Sequence, residues 1–217
     1  MLQVFIGSDP RQPVAYSVLQ HSISVRSSEP VSITRLQLDQ LPITRRGLTE
    51  FTYSRFLVPY LMGYKGWGLF LDADMLCLDD ISRLFDLADP QYDLMVVKNK
   101  EKFEWPSLML FNCAKCWKLT PEAVETSENI FRLEEWANVG EFPAEWNHCV
   151  GYDEYNPDAK LIHYTQGIPV WEETNGCDYA DLWHNERRAM MGTVSFQELM
   201  GQSVHVRRMN EQDSKKL

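Results

Sequence analysis

The apolar run Gly68-Leu69-Phe70-Leu71 ends abruptly in Asp72-Ala73-Asp74. A continuous run of large apolar residues reads as a strand buried on both faces. The surrounding patterns supply the layers that such a strand needs. Strand-like segments at residues 2–6, 31–36, 69–71, 93–97, 108–111 and 160–163 alternate with helical patterns at 12–25, 52–62, 81–87, from 120 onward and at 177–190. That alternation predicts an α/β fold with a mostly parallel central sheet. Residues two apart on an extended chain point the same way, so Asp72 and Asp74 share one side. Two like charges held together call for a cation, and a hard divalent ion suits carboxylate oxygens. Open α/β sheets gather ligands at the carboxyl ends of their strands. A plain turn remains open as a reading, because aspartate favours turns. An EF-hand does not, since Met75-Leu76-Cys77-Leu78 offers no glycine and no further oxygen ligands.

Local signals fix several boundaries. Asp79 and Asp80 stand where they would cap the 81–87 helix. Pro59 falls inside the 52–62 pattern and predicts a bend. Thr120-Pro121 reads as an N-cap followed by proline at the first helical position. Ser195-Phe196-Gln197-Glu198 is a capping box for a short last helix stopped by Gly201.

The chain has 217 residues, which suits a single domain, expected at 1–206 with a polar tail at 207–217. The formal net charge is −10, so nucleic acid and anionic membranes are poor partners. The opening Met1-Leu2-Gln3-Val4-Phe5-Ile6 has no basic start and reads as a strand, and no apolar run approaches a membrane span. A cytoplasmic setting is the expectation. Five cysteines in no regular framework argue for reduced thiols. Cys113-Ala114-Lys115-Cys116 could be half a zinc site or a redox pair, but no second Cys-x-x-Cys completes it. His148-Cys149 is a poor substitute.

Three segments together resemble glycosyltransferase family 8, the family of glycogenin and of bacterial lipopolysaccharide galactosyl- and glucosyltransferases. The first is Val4-Phe5-Ile6-Gly7-Ser8-Asp9-Pro10, running on to Tyr16 and Ser22-Ile23. The second is Tyr53-Ser54-Arg55-Phe56-Leu57-Val58-Pro59 followed by Phe70-Leu71-Asp72-Ala73-Asp74. The third is Phe142-Pro143-Ala144-Glu145-Trp146-Asn147, then Leu161-Ile162-His163-Tyr164 through Gly167, Pro169 and Trp171. Trp105-Pro106-Ser107 and Leu110-Phe111-Asn112 resemble a compact bacterial and phage branch. The resemblance implies a GT-A fold, Rossmann-like on its nucleotide side. It also implies metal-dependent transfer of a sugar, with retention, from a nucleotide-sugar donor such as a UDP-sugar to a saccharide or other hydroxyl acceptor. Two departures stand out. Ile168 occupies the place of the family's diphosphate-binding lysine, and its Asp-Gln-Asp is not recognisable, the nearest acids being Glu134 and Glu135.

The resemblance implies roles residue by residue. Asp72, Asp74 and His163 would hold Mn2+ or Mg2+, a donor set suited to an octahedral ion. Ile6, Gly7, Asp9, Tyr16, Arg55, Ala73 and Gly167 would surround the nucleotide, with Arg55 orienting Asp72 or touching phosphate. Lys98, at a strand end, could replace the missing lysine. Asn112, Trp146, Asn147 and Trp171 would line the sugar pocket, and Glu134 and Glu135 would be acidic groups on the acceptor side. Trp146 and Tyr16 have core packing as their rival reading, and Asp9 has helix capping. A sugar nucleotidyltransferase is a second enzyme reading, although Gly7-Ser8-Asp9-Pro10-Arg11 lacks a glycine- and basic-rich phosphate loop. A silent nucleotide- or sugar-binding module is the reading outside enzymes.

Overall fold

The computed structural model describes residues 1–192. The capping box at 195–198 and the polar tail at 207–217 lie outside the described residues. In chain order the strands are β1 (Leu2–Gly7), β2 (Val31–Leu36), β3 (Trp67–Leu71), β4 (Met75–Cys77), β5 (Leu94–Val97), β6 (Leu108–Asn112), β7 (Val139–Phe142), β8 (His148–Cys149) and β9 (Leu161–His163). The α-helices are α1 (Pro13–Arg26), α2 (Val58–Leu61), α3 (Ser82–Asp86), α4 (Pro121–Thr126), α5 (Leu133–Trp136) and α6 (Ala180–Met190).

Six strands form the central sheet in the order β2-β1-β3-β6-β5-β7. The pairs β1/β2, β1/β3 and β5/β7 are parallel, whereas β6 runs antiparallel to both of its neighbours. Five strands therefore point one way, as the sequence predicts, and β6 is the exception. The jump from β1 to β3 past β2 reverses the strand order, which opens a crevice at the carboxyl ends of β1 and β3. Leu69, Phe70 and Leu71 are fully buried, as are Leu108 to Phe111 beside them. A second, three-stranded sheet, β4-β9-β8, packs on α1 and carries the site described below.

Two helix expectations need correction. The 52–62 pattern splits into a 3-10 helix, Ser54–Leu57, and the single α-turn α2. Pro59 sits in the first turn of α2, where its missing N–H has no partner to lose, so it starts that turn rather than bending a longer helix. The last described helix begins at Ala180 rather than at 177, because Tyr179 adopts a left-handed conformation with φ 58°. Tyr179 is held there by its hydroxyl, which donates to Asn156 O at 2.7 Å. The Thr120 cap forms as predicted, its Oγ1 accepting from the Ala123 N–H. Asp80 Oδ1 accepts from the Ser82 N–H at 3.0 Å, while Asp79 Oδ1 takes the N–H of Asp80 outside the helix. Glu186, buried on α6, ties that helix to Arg26 and His21 of α1.

Candidate metal centre

The site is assembled by one pairing that the sequence pattern does not reveal. Asp72 follows β3, and two residues later, immediately past Asp74, the chain enters β4. β4 pairs antiparallel with β9, with Met75 opposite His163. The Tyr164 N–H donates to Asp74 O at 2.9 Å. That register brings the two aspartates and His163 together, and one ligand atom from each lies within 4.8 Å of the others. This is the group of three His, Cys, Asp or Glu ligands that the described residues bring to metal-binding separation.

The three side chains are close without satisfying one another. Arg55, itself buried, approaches Asp72 with Nη2 at 3.1 Å from Oδ1 and 3.4 Å from Oδ2. Only the Oδ2 contact has hydrogen-bond alignment, and Asp72 Oδ1 is left buried with no hydrogen bond. Asp74 Oδ1 is likewise buried and unbonded, with His163 Nε2 3.5 Å away. Buried polar atoms are nearly always paired, so two orphaned carboxylate oxygens facing one imidazole need an explanation. A cation in their midst would supply it. Oxygen-rich donors with one imidazole fit an octahedral hard ion such as Mn2+ or Mg2+. Burial pushes the Asp72 carboxyl up to about 7; Arg55 opposes the shift and Asp74 adds to it. For His163 burial works downward, but the neighbouring Asp74 carboxylate and Cys149 outweigh it and raise the imidazole well above its ordinary value.

A layer of buried polar groups stands behind the triad, and sequence reasoning missed most of it. Glu104 Oε2 lies 3.7 Å from His163 Nδ1, on the side of the ring away from Asp74. Burial raises its carboxyl as well. Cys149 Sγ lies 4.0 Å from the same nitrogen. The Asp72 N–H donates to Ser107 O, and Ser107 Oγ accepts from Asn147 Nδ2 at 2.9 Å. Asn99 Nδ2 in turn donates to Asn147 O, and the Trp105 indole N–H donates to Asn99 O. Glu104 adjoins Trp105-Pro106-Ser107 in sequence, but nothing in its spacing announces a role. Its position depends on a 3-10 segment, Lys102–Ser107, that local pattern does not predict.

Arg55 is placed against Asp72, and its Nη1 also donates to Pro106 O at 2.8 Å. Asp9 does not cap α1, whose N-cap Gln12 makes no side-chain bond. Instead Asp9 receives both the backbone N–H and the guanidinium of Arg11, at 2.9 and 2.6 Å. Asp9, Arg11, Thr49, Ala73 and Asp74 line a cavity of about 60 Å³. Arg11 and Thr49 continue into a second cavity of about 240 Å³, and Arg46 and Glu50 into a third of about 230 Å³ that reaches Ser8, Arg35 and Leu38. The three cavities, which share lining residues in succession, make a segmented cleft between Asp74 and Arg35 near the end of β1. Gly7 is required at its floor, because a Cβ there would meet the Phe51 ring at 2.4 Å. Ile6 is buried beneath. Tyr16 is half-buried, with the Arg35 guanidinium 5.0 Å above its ring, and it lies beside the cleft rather than along it.

Other expected positions are corrected by the topology. Asn112 ends the antiparallel strand β6, opposite Trp67, so it sits at the far end of the sheet from Asp72 and cannot line this site. Trp146 is core, buried to 1%, with Lys160 Nζ over its ring. Asn147 is fully enclosed and serves the polar layer rather than a sugar. Trp171 is half-exposed next to Gly167, whose φ of +109° excludes most side chains. Ile168 is buried, so its position cannot present a cation to a ligand. Lys98 lies over Trp105, 5.7 Å from the ring centre. Glu134 and Glu135 are exposed and pair with Lys102 and Arg132, one segment away from the triad.

No protein-family model matches the chain. Solved structures share its fold. The galactosyltransferase LgtC, in a complex with donor and acceptor sugar analogues, is 13% identical with a TM-score of 0.62; the match covers 90% of this chain and 98% of that one. The glycosyltransferase GlyE of Streptococcus pneumoniae is 14% identical, with a TM-score of 0.66 over 86% of this chain and 61% of its own. The bifunctional glycosyltransferase WbbM gives 0.64 at 16% identity, over 91% of this chain, which spans half of WbbM's length. At such identities the likeness establishes the GT-A fold. In sequence the chain is 37% identical over 222 aligned positions to Protein CDI of Arabidopsis thaliana, covering 85% of each, a plant relative rather than a bacterial or phage one. The chain is a GT-A-fold protein and belongs to the family of Protein CDI.

Proposed function

We propose that the chain is a metal-dependent glycosyltransferase whose donor is a nucleotide-sugar, with a UDP-sugar expected, and whose acceptor is a saccharide hydroxyl. The observation that carries this reading is the pair of carboxylate oxygens without hydrogen bonds on Asp72 and Asp74, the second beside a cavity that adjoins two larger ones. Asp72, Asp74 and His163 would hold Mn2+ or Mg2+, which when bound neutralises charge on a diphosphate and on its departure. Arg55 fixes the Asp72 carboxylate and keeps it from turning into the core. Glu104 stands where it would receive the Nδ1 proton of His163 and hold Nε2 toward the aspartates. Ala73, Gly7, Asp9 and Arg11 would border the diphosphate and ribose, and Ser8 and Arg35 the more distant base. Gly167 and Trp171 would close over the sugar. The resemblance to family 8 supports retention of configuration.

The buried Ile168 favours one rival, a nucleotide-sugar-binding module without turnover, because no lysine reaches the diphosphate from that loop. Calorimetry of UDP with and without Mn2+, followed by assay of UDP release from UDP-glucose and UDP-galactose, separates the readings. UDP binding that requires Mn2+, with release of UDP, supports the transferase. Binding without release supports the module. UDP affinity indifferent to Mn2+ overturns both.

A further inference from the structure

We propose that the groove beyond Glu104 is a saccharide-binding site in which the exposed rings of Phe103 and Phe131 carry a pyranose. This rests on the glycosyl-transfer reading and specifies its second substrate. Lys102, Phe103, Trp105, Phe131, Arg132, Leu133, Glu134 and Glu135 enclose a volume of about 370 Å³, within the range of small-ligand sites. Phe103 is 63% exposed and Phe131 40%. Phenylalanine is usually interior, so two open rings lining one groove need a reason. Both are braced: Phe131 stands edge-on to Tyr53 and Phe56 at 5.5 and 5.2 Å, and Phe103 edge-on to Tyr152 at 5.8 Å.

The groove's rim combines with its floor to match one ligand chemistry. A pyranose has an apolar C–H face and a ring of hydroxyls. Aromatic faces suit the first. Carboxylates and amines suit the second. Glu134 pairs with Lys102 at 3.2 Å and Glu135 with Arg132 at 3.0 Å. These are exposed pairs, worth little to stability, whose members can turn to hydroxyls at small cost. An apolar peptide would leave four charges unused, and a polyanion would meet two glutamates. The groove lies on the far side of the polar layer from the aspartates: Phe103 adjoins in sequence Glu104, whose carboxylate faces His163 Nδ1.

The test uses the full chain, with lactose, maltotriose and cellotriose as probes and saturation-transfer NMR as readout, with and without Mn2+ and UDP. At least one probe is expected to bind in the millimolar range. Phe103→Ala should weaken it about tenfold, while Phe103→Tyr retains it. Calorimetric affinity for Mn2+–UDP should be the same in all three proteins, which reports that the fold and the cleft are intact. Failure of all three probes to bind the wild type, or equal binding by Phe103→Ala, overturns the groove. Saccharide binding that depends on Phe103 in a protein with no Mn2+–UDP affinity upholds the groove and overturns the donor reading instead.

Discussion

An aspartate stands at each end of the central sheet, and the fold treats the two in opposite ways. Where β5 begins, Asp93 has both carboxylate oxygens engaged. One accepts from the Asn138 N–H at 2.8 Å, and the other lies 3.9 Å from Lys115 Nζ. The nearby cavity of about 310 Å³, walled by Cys116, Leu119, Ile130 and Trp136, presents no buried carboxylate in want of a partner. Where β3 ends, Asp72 and Asp74 each bury an oxygen with no hydrogen bond, and among the described residues the only arginine or lysine paired with them is Arg55, 3.1 Å from the Asp72 oxygen. Taking carboxylate oxygens out of water without hydrogen-bonding them is expensive, and one arginine beside two carboxylates leaves room for a ligand to complete them. A strand-end aspartate is therefore weak evidence, and its unsatisfied state is the informative part.

The largest expected effect breaks that contrast directly. Asp72→Asn or Asp74→Asn should lower Mn2+-dependent UDP affinity about a hundredfold or more, since loss of a ligand exceeds the ten- to hundredfold typical of supporting groups. Asp93→Asn should leave it within about twofold and appear only as a loss of roughly 1 kcal/mol in stability, the size of a surface hydrogen bond. Calorimetry and denaturant melts read both. Equal effects at the two ends would end the distinction.

Glu104→Gln sharpens the comparison one layer out. Its carboxylate lies 3.7 Å from His163 Nδ1. Glutamine keeps the shape and removes the charge that holds the imidazole in place. Metal affinity should fall about tenfold, with the melting temperature of the metal-free protein unchanged or raised, because a buried carboxylate has been removed. A variant that binds Mn2+ as the wild type does would make Glu104 a bystander.

The pH response has a definite sign. The folded Asp72 carboxyl is raised from 3.8 to about 7, so its proton is held more tightly in the folded chain than in the unfolded one. Its contribution to stability is then complete below about pH 4 and is lost as the pH rises through 7. His163, also raised, contributes below its unfolded value and loses that contribution as the pH climbs through its folded one. Both act in one direction. The metal-free wild type should lose stability relative to Asp72→Asn between pH 4 and pH 8. Mn2+ should reverse the loss most strongly at the alkaline end, where its ligands are deprotonated. Thermal melts of both proteins across that range, with and without Mn2+, test it; a difference independent of pH would contradict the assigned environment of Asp72.

The sequence makes some of this legible and hides the rest for physical reasons. The run before Asp72 and the strand–helix alternation reveal the sheet, because burial on both faces leaves a pattern in consecutive residues. The candidate metal-binding group is readable only in part. Asp72 and Asp74 announce themselves by spacing. His163 needs the pairing of β4 with β9, two three-residue strands too short for periodicity to register. Asn112 fails as a site residue because β6 runs antiparallel, and direction is invisible in a short apolar run. Glu104 lies in a 3-10 segment and Asn147 just after one, and the placement of both depends on contacts distant in sequence.

The smallest expected effect concerns the thiols at the quiet end of the sheet. Cys113 and Cys116 have the spacing of half a zinc site, yet both are buried, and burial pushes each thiol up to about 12. Cys116 Sγ donates to Asp93 O, so its proton is already in use. Zinc requires thiolates and four ligands, and reagents attack thiolates. Native protein treated with iodoacetamide at neutral pH should therefore be alkylated first at Cys177, which is half-buried, while Cys113 and Cys116 react only on unfolding. Cys116→Ser should leave Mn2+–UDP affinity unchanged. Peptide mapping by mass spectrometry and metal analysis of fresh protein give the answer. Stoichiometric zinc that disappears in Cys116→Ser would give this end of the sheet a ligand of its own, and the asymmetry between the two ends would have to be argued from the metals each one selects.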